Sequence, residues 1–302
     1  MNKDIIEEIR RLKSEKNAIV LAHCYQNVEI DEVADFVGDS LYLSRKAAET
    51  DADIIVFAGV YFMAQTAKIL SPDKKVLLPT IESGCRMADM ISLNQLRDFK
   101  SKYKNMPTVC YVNSTAEVKS ECDICCTSSN AVEVVKSLNA KEILFVPDTY
   151  LGKYVESQLD GVKINTYPGF CPTHLQIRPE DIINARKKYP KAILLAHPEC
   201  HNEVVKLADV VGSTAKIMRY ASESNEKTFI IATEKGVVDR LKRDYPDKEF
   251  ILIKENIICP NMKFNTLADI LNSLKNEEYE ITVDDEISKK AYNCIRKMLE
   301  VN

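Results

Sequence analysis

Ala18-Ile-Val-Leu-Ala-His23-Cys-Tyr25, Thr108-Val-Cys-Tyr111-Val-Asn113 and Ala192-Ile-Leu-Leu-Ala-His197-Pro-Glu199 are three versions of one sentence. Each is an apolar run of the kind that forms a buried parallel strand, and each ends in groups that donate hydrogen bonds or move protons. A cysteine closes each paragraph: Cys85 lies 62 residues after His23, Cys171 lies 60 after Tyr111, and Cys259 lies 62 after His197. The closing cysteines are therefore 86 and 88 residues apart. A hydroxyl residue also recurs 17 positions after each polar group, as Ser40, Ser128 and Thr214, each expected at a helix start. Four features in register across three copies indicate one unit written three times.

Within each copy, short β-branched runs alternate with longer amphipathic stretches, the pattern of parallel-sheet α/β units. Strands are expected over 18–22, 53–58 and 75–78, then 108–112, 142–146 and 162–166, then 192–195, 228–232 and 250–253. Helices are expected over 40–49, 61–70, 130–138, 152–158, 214–222 and 236–243. Further helices precede the units at 2–15, 90–103 and 178–188, and two follow at 265–276 and 284–299, the last capped by Asp284. The predicted fold is α/β, with three homologous small Rossmann-like domains around a pseudo-threefold axis. Their expected bounds are residues 1–85, packed with the C-terminal helices of 263–302, then 86–172 and 173–262. Ligands bind beyond the carboxyl ends of parallel strands, so three such sheets should share one central active site.

Composition narrows the chemistry. A chain of 302 residues with 45% hydrophobic and 28% charged residues is ordinary globular material, and no apolar run approaches the roughly 20 residues of a membrane span. The amino terminus shows no apolar signal region, which predicts a cytoplasmic protein and thiols used for metal binding or thiol chemistry. A net charge of −4 and a pI near 5.8 argue against a nucleic-acid partner. Neither the glycine-rich dinucleotide motif nor the phosphate loop is present.

A single buried cysteine is usually inert packing, but Cys85, Cys171 and Cys259 are equivalent by repeat. Structural zinc takes four ligands, and complete iron–sulfur ligation normally takes four thiolates. Three thiolates on a [4Fe-4S] cluster would leave one iron open as a Lewis acid. The pairs His23/Tyr25, Tyr111/Asn113 and His197/Glu199 have i, i+2 spacing, which puts both members on one strand face and turns Cys24, Cys110 and Cys200 the other way. Ser40, Ser128 and Thr214 would either cap helices or, at helix N-termini, receive carboxylate or phosphate oxygens. Cys122-Asp-Ile-Cys125-Cys126 has metal-motif spacing but lies in one copy only; metal binding, a reversible disulfide and inert packing all stay open. In His197-Pro-Glu-Cys-His201, Pro198 disfavours the helix that a zinc-protease motif needs. Two other classes remain: an electron-transfer or redox-sensor protein whose fourth thiolate comes from Cys122, Cys125 or Cys126, and a zinc-stapled binding scaffold.

The chain resembles quinolinate synthase over essentially its full length. The resemblance rests on Ala22-His23-Cys-Tyr25-Gln26, Gly38-Asp39-Ser40, Gly84-Cys85, Tyr111-Val-Asn113, Cys126-Thr-Ser128-Ser129-Asn130, Gly169-Phe-Cys171-Pro-Thr-His174, Ala196-His197-Pro-Glu199-Cys200 and Gly212-Ser213-Thr214. It implies a triangle of three α/β domains around a [4Fe-4S] cluster with three cysteine ligands, here Cys85, Cys171 and Cys259. The implied reaction condenses iminosuccinate with dihydroxyacetone phosphate, losing phosphate and two waters, to give quinolinate for NAD biosynthesis. It implies functional coupling to an L-aspartate-oxidising enzyme. By position, Tyr111, Asn113, Ser128 and Thr214, with His23 and Ser40, resemble the substrate-holding groups. His197 and Glu199 resemble an acid–base pair that also contacts substrate, with His23 and Tyr25 among the catalytic groups.

Overall fold

The computed structural model describes residues 2–103 and 105–301. Helix α1 (Asn2–Glu15) leads into β1 (Ala18–His23), β2 (Phe36–Gly38), α2 (Ser40–Glu49), β3 (Ile54–Ala58), α3 (Tyr61–Leu70) and β4 (Lys75–Leu77). After α4 (Leu93–Ser101) come β5 (Thr108–Tyr111), α5 (Ala116–Ser120), β6 (Ile124–Cys126), α6 (Ala131–Ser137), β7 (Glu142–Val146), α7 (Thr149–Ser157) and β8 (Lys163–Thr166). After α8 (Pro179–Lys188) come β9 (Ile193–Ala196), α9 (Asn202–Leu207), β10 (Val210–Val211), α10 (Thr214–Glu223), β11 (Thr228–Ala232), α11 (Lys235–Asp244) and β12 (Glu249–Leu252). Helices α12 (Leu267–Asn276) and α13 (Asp285–Glu300) complete the described chain.

Each paragraph forms one four-stranded sheet, and the strand order repeats: β2-β1-β3-β4, β6-β5-β7-β8 and β10-β9-β11-β12. The pairings are all parallel. Helices cover both faces of such a sheet, so central strands are apolar throughout; Ile54–Ala58 is buried along its length. The edge strands β2, β6 and β10 are additions to the predicted pattern. An aspartate clamps each of them: Asp35, Asp123 and Asp209 accept a hydrogen bond at 2.7 Å from the backbone N–H of Val20, Thr108 and Leu194. Their own N–H groups return to the carbonyls of the same three residues.

The recurring hydroxyls are not caps. Asp39 and Ser213 cap α2 and α10, accepting from Tyr42 N and Lys216 N, so Ser40 and Thr214 are the first helical residues. Ser128 lies in a turn before α6, whose N-cap position is Asn130. Their oxygens are thereby free for other partners. At the carboxyl end, α12 packs on α1, while α13 lies across α3, α5 and β6, so the tail is shared between the first and second units. Among the described residues no helix is long and apolar enough to cross a membrane.

Candidate active site

The carboxyl ends of β1, β5 and β9 open onto one cavity of about 320 Å³. Its lining holds His23, Tyr25, Ser40, Tyr111, Asn113, Ser128, His197, Glu199 and Thr214 together with Cys85, Cys171 and Cys259. All the site residues read from the sequence therefore meet in one place. Cys24, Cys110 and Cys200 are buried in the core and do not line the cavity, as strand alternation requires.

A 3₁₀ turn follows each closing cysteine, at Ala88–Met90, His174–Gln176 and Pro260–Lys263. Burial raises all three thiol pKa values, that of Cys85 to about 12. Backbone N–H groups oppose the rise: those of Ala88 and Met87 at Cys85, of His174 at Cys171, and of Met262 and Asn261 at Cys259. The sulfurs are close enough for Cys259 to raise both of its fellows. All ten cysteines are free of disulfides, and of them only these three line the cavity. Three soft donors, each with at least one backbone N–H at its sulfur, suit a thiolate-bound metal centre. Lysine and glutamate secure the third: Glu234 accepts from Cys259 N at 3.2 Å and from Lys263 Nζ at 3.2 Å, and Lys263 also donates to Tyr25 O.

His23 and His197 are equivalent in detail. The Nδ1 of His23 accepts from Tyr25 N at 3.1 Å, and that of His197 from Glu199 N at 3.3 Å. Burial lowers both imidazoles to a pKa of about 3, with Arg240 adding to the effect at His23. Each is a neutral ring whose proton sits on Nε2, because Nδ1 is occupied as an acceptor. Tyr111 stands at the matching position of the second unit, and Asn113, two residues further on, has an Oδ1 that is buried without a partner. An unpaired buried oxygen in a cavity wall marks a place where a ligand group completes the bonding.

Glu199 is 4% exposed. Burial opposes its ionisation, but His197 and His174 beside it, with hydrogen bonds from His174 and Tyr111, outweigh that and hold its carboxyl well below the usual range. Tyr111 donates to Oε1, and His174 Nδ1 lies 2.8 Å from Oε2. His174 also contacts Cys171 Sγ at 3.2 Å and stacks on His197 with ring centroids 4.6 Å apart. The ligand atoms of Cys171, His174 and Glu199 lie within 4.8 Å of one another. Burial and the charge of Glu199 push the Tyr25 and Tyr111 phenols well above their ordinary range. Tyr25 OH accepts from Thr214 Oγ1 at 3.0 Å and lies 3.0 Å from Thr233 Oγ1.

The first and third units are locked together behind Tyr25. Buried Arg240 donates to Cys24 O at 2.7 Å, to Gln26 O at 2.9 Å and to Asp31 Oδ1 at 2.5 Å. Gly236 lets α11 approach this turn: a Cβ there would stand 2.9 Å from Cys24 O.

Sequence reasoning gave no role to His174 or Thr233. His174 stands three residues after a closing cysteine and is one of only four histidines, which was the available signal. Cys122, Cys125 and Cys126 lie outside the cavity lining; Cys125 Sγ sits 3.3 Å from Cys294 Sγ between β6 and α13.

A family model described as "Quinolinate synthetase A protein" matches residues 7–300. The chain belongs to the quinolinate synthase family. Curated relatives include a quinolinate synthase of Alkaliphilus metalliredigens, 52% identical over 298 residues, covering 99% of this chain and 98% of the relative. One from Dehalococcoides mccartyi is 52% identical over 297 residues, 98% of each chain. "Quinolinate synthase 2" of Methanosarcina acetivorans is 52% identical over 298 residues, 99% of this chain and 96% of the relative. Membership makes this chain an enzyme of NAD biosynthesis.

Proposed function

We propose that the chain condenses iminosuccinate with dihydroxyacetone phosphate, releasing phosphate and two waters, to form quinolinate. The observation that carries this reading is the meeting of three thiols, two neutral imidazoles and a buried carboxylate in one cavity of a quinolinate synthase family member. The overall conversion is redox-neutral and needs no external oxidant, so Lewis-acid and acid–base groups suffice. Cys85, Cys171 and Cys259 would hold a [4Fe-4S] cluster, which supplies an open iron as a Lewis acid for an oxygen of the bound organic acid.

The other tasks fall to the protein. His23 and His197 offer Nε2–H donors that orient carboxylates without adding charge, and Asn113 and Tyr111 extend that set across the second unit. Ser40 and Thr214, at the first turns of α2 and α10, and Ser128 receive carboxylate and phosphate oxygens where free backbone N–H groups favour anions. Glu199, ionised, takes protons from carbon or nitrogen. His197 holds the substrate against it, and Tyr25, protonated at neutral pH, returns a proton to a departing hydroxyl. An L-aspartate-oxidising enzyme would supply the imine, and ten free thiols suit the reducing cytoplasm.

The test is an oxygen-free assay with both substrates, following quinolinate by chromatography. Product that appears only with iron-loaded protein and both substrates is expected. No product from fully loaded protein would overturn the reading.

A further inference from the structure

We propose that the cleft between α6 and α10 is an outer capture site, where Lys216 and Arg219 take the phosphate group of a small phosphate monoester before it passes Ser128 into the central cavity. The kinetic arm of this inference rests on the functional reading above; its footprinting arm does not. The cleft measures about 610 Å³ and is built from the second and third units. Ser128 lines both the cleft and the central cavity, so the two spaces meet at this residue. The other two seams are bridged by polar contacts beside the cavity. Ser129 Oγ donates to Asp39 Oδ2 at 2.6 Å between the second and first units, and Arg240 ties the third unit to the first.

Charge sets what the cleft can hold. Lys216 and Arg219 stand three residues apart on one face of α10, so both cations bear on the same space. Neither side chain has an ion pair or a hydrogen bond among the described residues, and Glu133 is the one acid in the lining. In a chain of net charge −4, two cations left unneutralised in a concave surface are placed to draw in an anion. Gly212 decides where the lysine lies. A Cβ there would stand 2.4 Å from Lys216 Cδ, so the glycine leaves room for the lysine stem over the turn that leads to Thr214. In the first unit Tyr42 takes the matching place over Gly38, so the cation is not a repeat of the fold.

The opposite wall adds a hydrogen-bond donor. Burial and the charge of Glu133 raise the Tyr154 phenol above its ordinary range, which keeps its hydrogen available at neutral pH. Two cations within one helical turn match one compact dianion, whereas the two carboxylates of a four-carbon acid are spread over a longer span. The site therefore selects the phosphate-bearing substrate.

The test begins with footprinting of the full-length chain. Acetic anhydride modifies accessible lysines, and mass spectrometry reads the fraction acetylated at Lys216. Glycerol 3-phosphate is the probe, because it carries the phosphate group without a reactive carbonyl. At matched ionic strength it should slow acetylation of Lys216 about threefold or more, succinate should not, and Arg219→Gln should abolish the protection. In the quinolinate assay, the K216Q/R219Q double variant should raise KM for dihydroxyacetone phosphate about tenfold at low ionic strength, with kcat and KM for iminosuccinate within about twofold. Salt at about 0.3 M should bring wild type towards the double variant, and K216R/R219K should stay close to wild type. Unprotected Lys216, equal protection by succinate, or an unchanged KM for dihydroxyacetone phosphate in K216Q/R219Q each overturns the inference. If wild-type protein makes no quinolinate, the functional reading alone falls, and the protection of Lys216 still decides the capture site.

Discussion

Replacing Glu199 by Gln changes one atom and removes one charge at the buried carboxylate of the cavity. In the wild type its two oxygens accept from Tyr111 O–H and from His174 Nδ1, the latter at 2.8 Å. A glutamine keeps one of these as an acceptor bond, to His174. Its amide must donate to Tyr111, which then turns its own hydrogen towards the cavity. The side chain can therefore stay in place with one bond reversed. The cost is the charge assistance of hydrogen bonds to a carboxylate, about 1–3 kcal/mol of stability. None of the three thiols is touched, so iron and sulfide content should match wild type. Turnover should not survive: an amide cannot accept the substrate proton, and losing a positioned base costs about 10²–10⁴ in kcat. That is about 3–5 kcal/mol on the barrier. Anaerobic quinolinate formation, measured beside iron and sulfide counts on the same preparation, checks both halves. A rate within a factor of about three of wild type would remove Glu199 from proton transfer, since no positioned base is worth so little. Loss of the metal centre in E199Q would instead show that Glu199 holds the Cys171 side of the cavity together.

Cys→Ala at position 85, 171 or 259 should abolish iron binding and activity, whereas Cys→Ala at 122, 125 or 126 should leave iron content unchanged, because only the first three reach the cavity; elemental analysis decides. Arg240→Leu should destabilise the chain by about 3–5 kcal/mol, because it strips two buried carbonyls and part of Asp31 of their donor; urea unfolding measures it, and a loss below about 1 kcal/mol would mean that water replaces the guanidinium. The pKa values of His23 and His197 are depressed to about 3, so the folded state refuses protons that the unfolded chain accepts below about pH 6.5. Stability is then fully present above that pH and falls by about 1.4 kcal/mol per pH unit per histidine as pH drops towards 3. In unfolding titrations between pH 7 and 5, His23→Gln and His197→Gln should each flatten the slope, and an unchanged slope in both would show the rings to be hydrated.

What the sequence discloses and what it hides follow from symmetry. A continuous apolar run such as Ile54-Ile-Val-Phe-Ala58 announces a central strand because burial on both faces leaves no room for polar residues. Phe36-Val-Gly38 and Val210-Val211 are too short and too exposed to carry that signal, and the aspartates that clamp them resemble ordinary surface charge. The positions that line the shared cavity repeat with the fold, which is why His23, Tyr111 and His197, with Ser40, Ser128, Thr214 and the closing cysteines, stand out in register. Directional chemistry cannot be threefold. A proton must leave from one side and arrive at another, so groups proposed to move it need not repeat: Glu199 stands where the first unit has Tyr25 and the second Asn113, and His174 where the others have Ala88 and Met262. Searching for repeats finds the first kind and passes over the second. The same comparison becomes a guide once the fold is known. Where three equivalent positions differ in polarity in the lining of a shared cavity, the odd residue is the one to replace first, and in this chain that rule selects Glu199 and His174, whose facing atoms Oε2 and Nδ1 stand 2.8 Å apart.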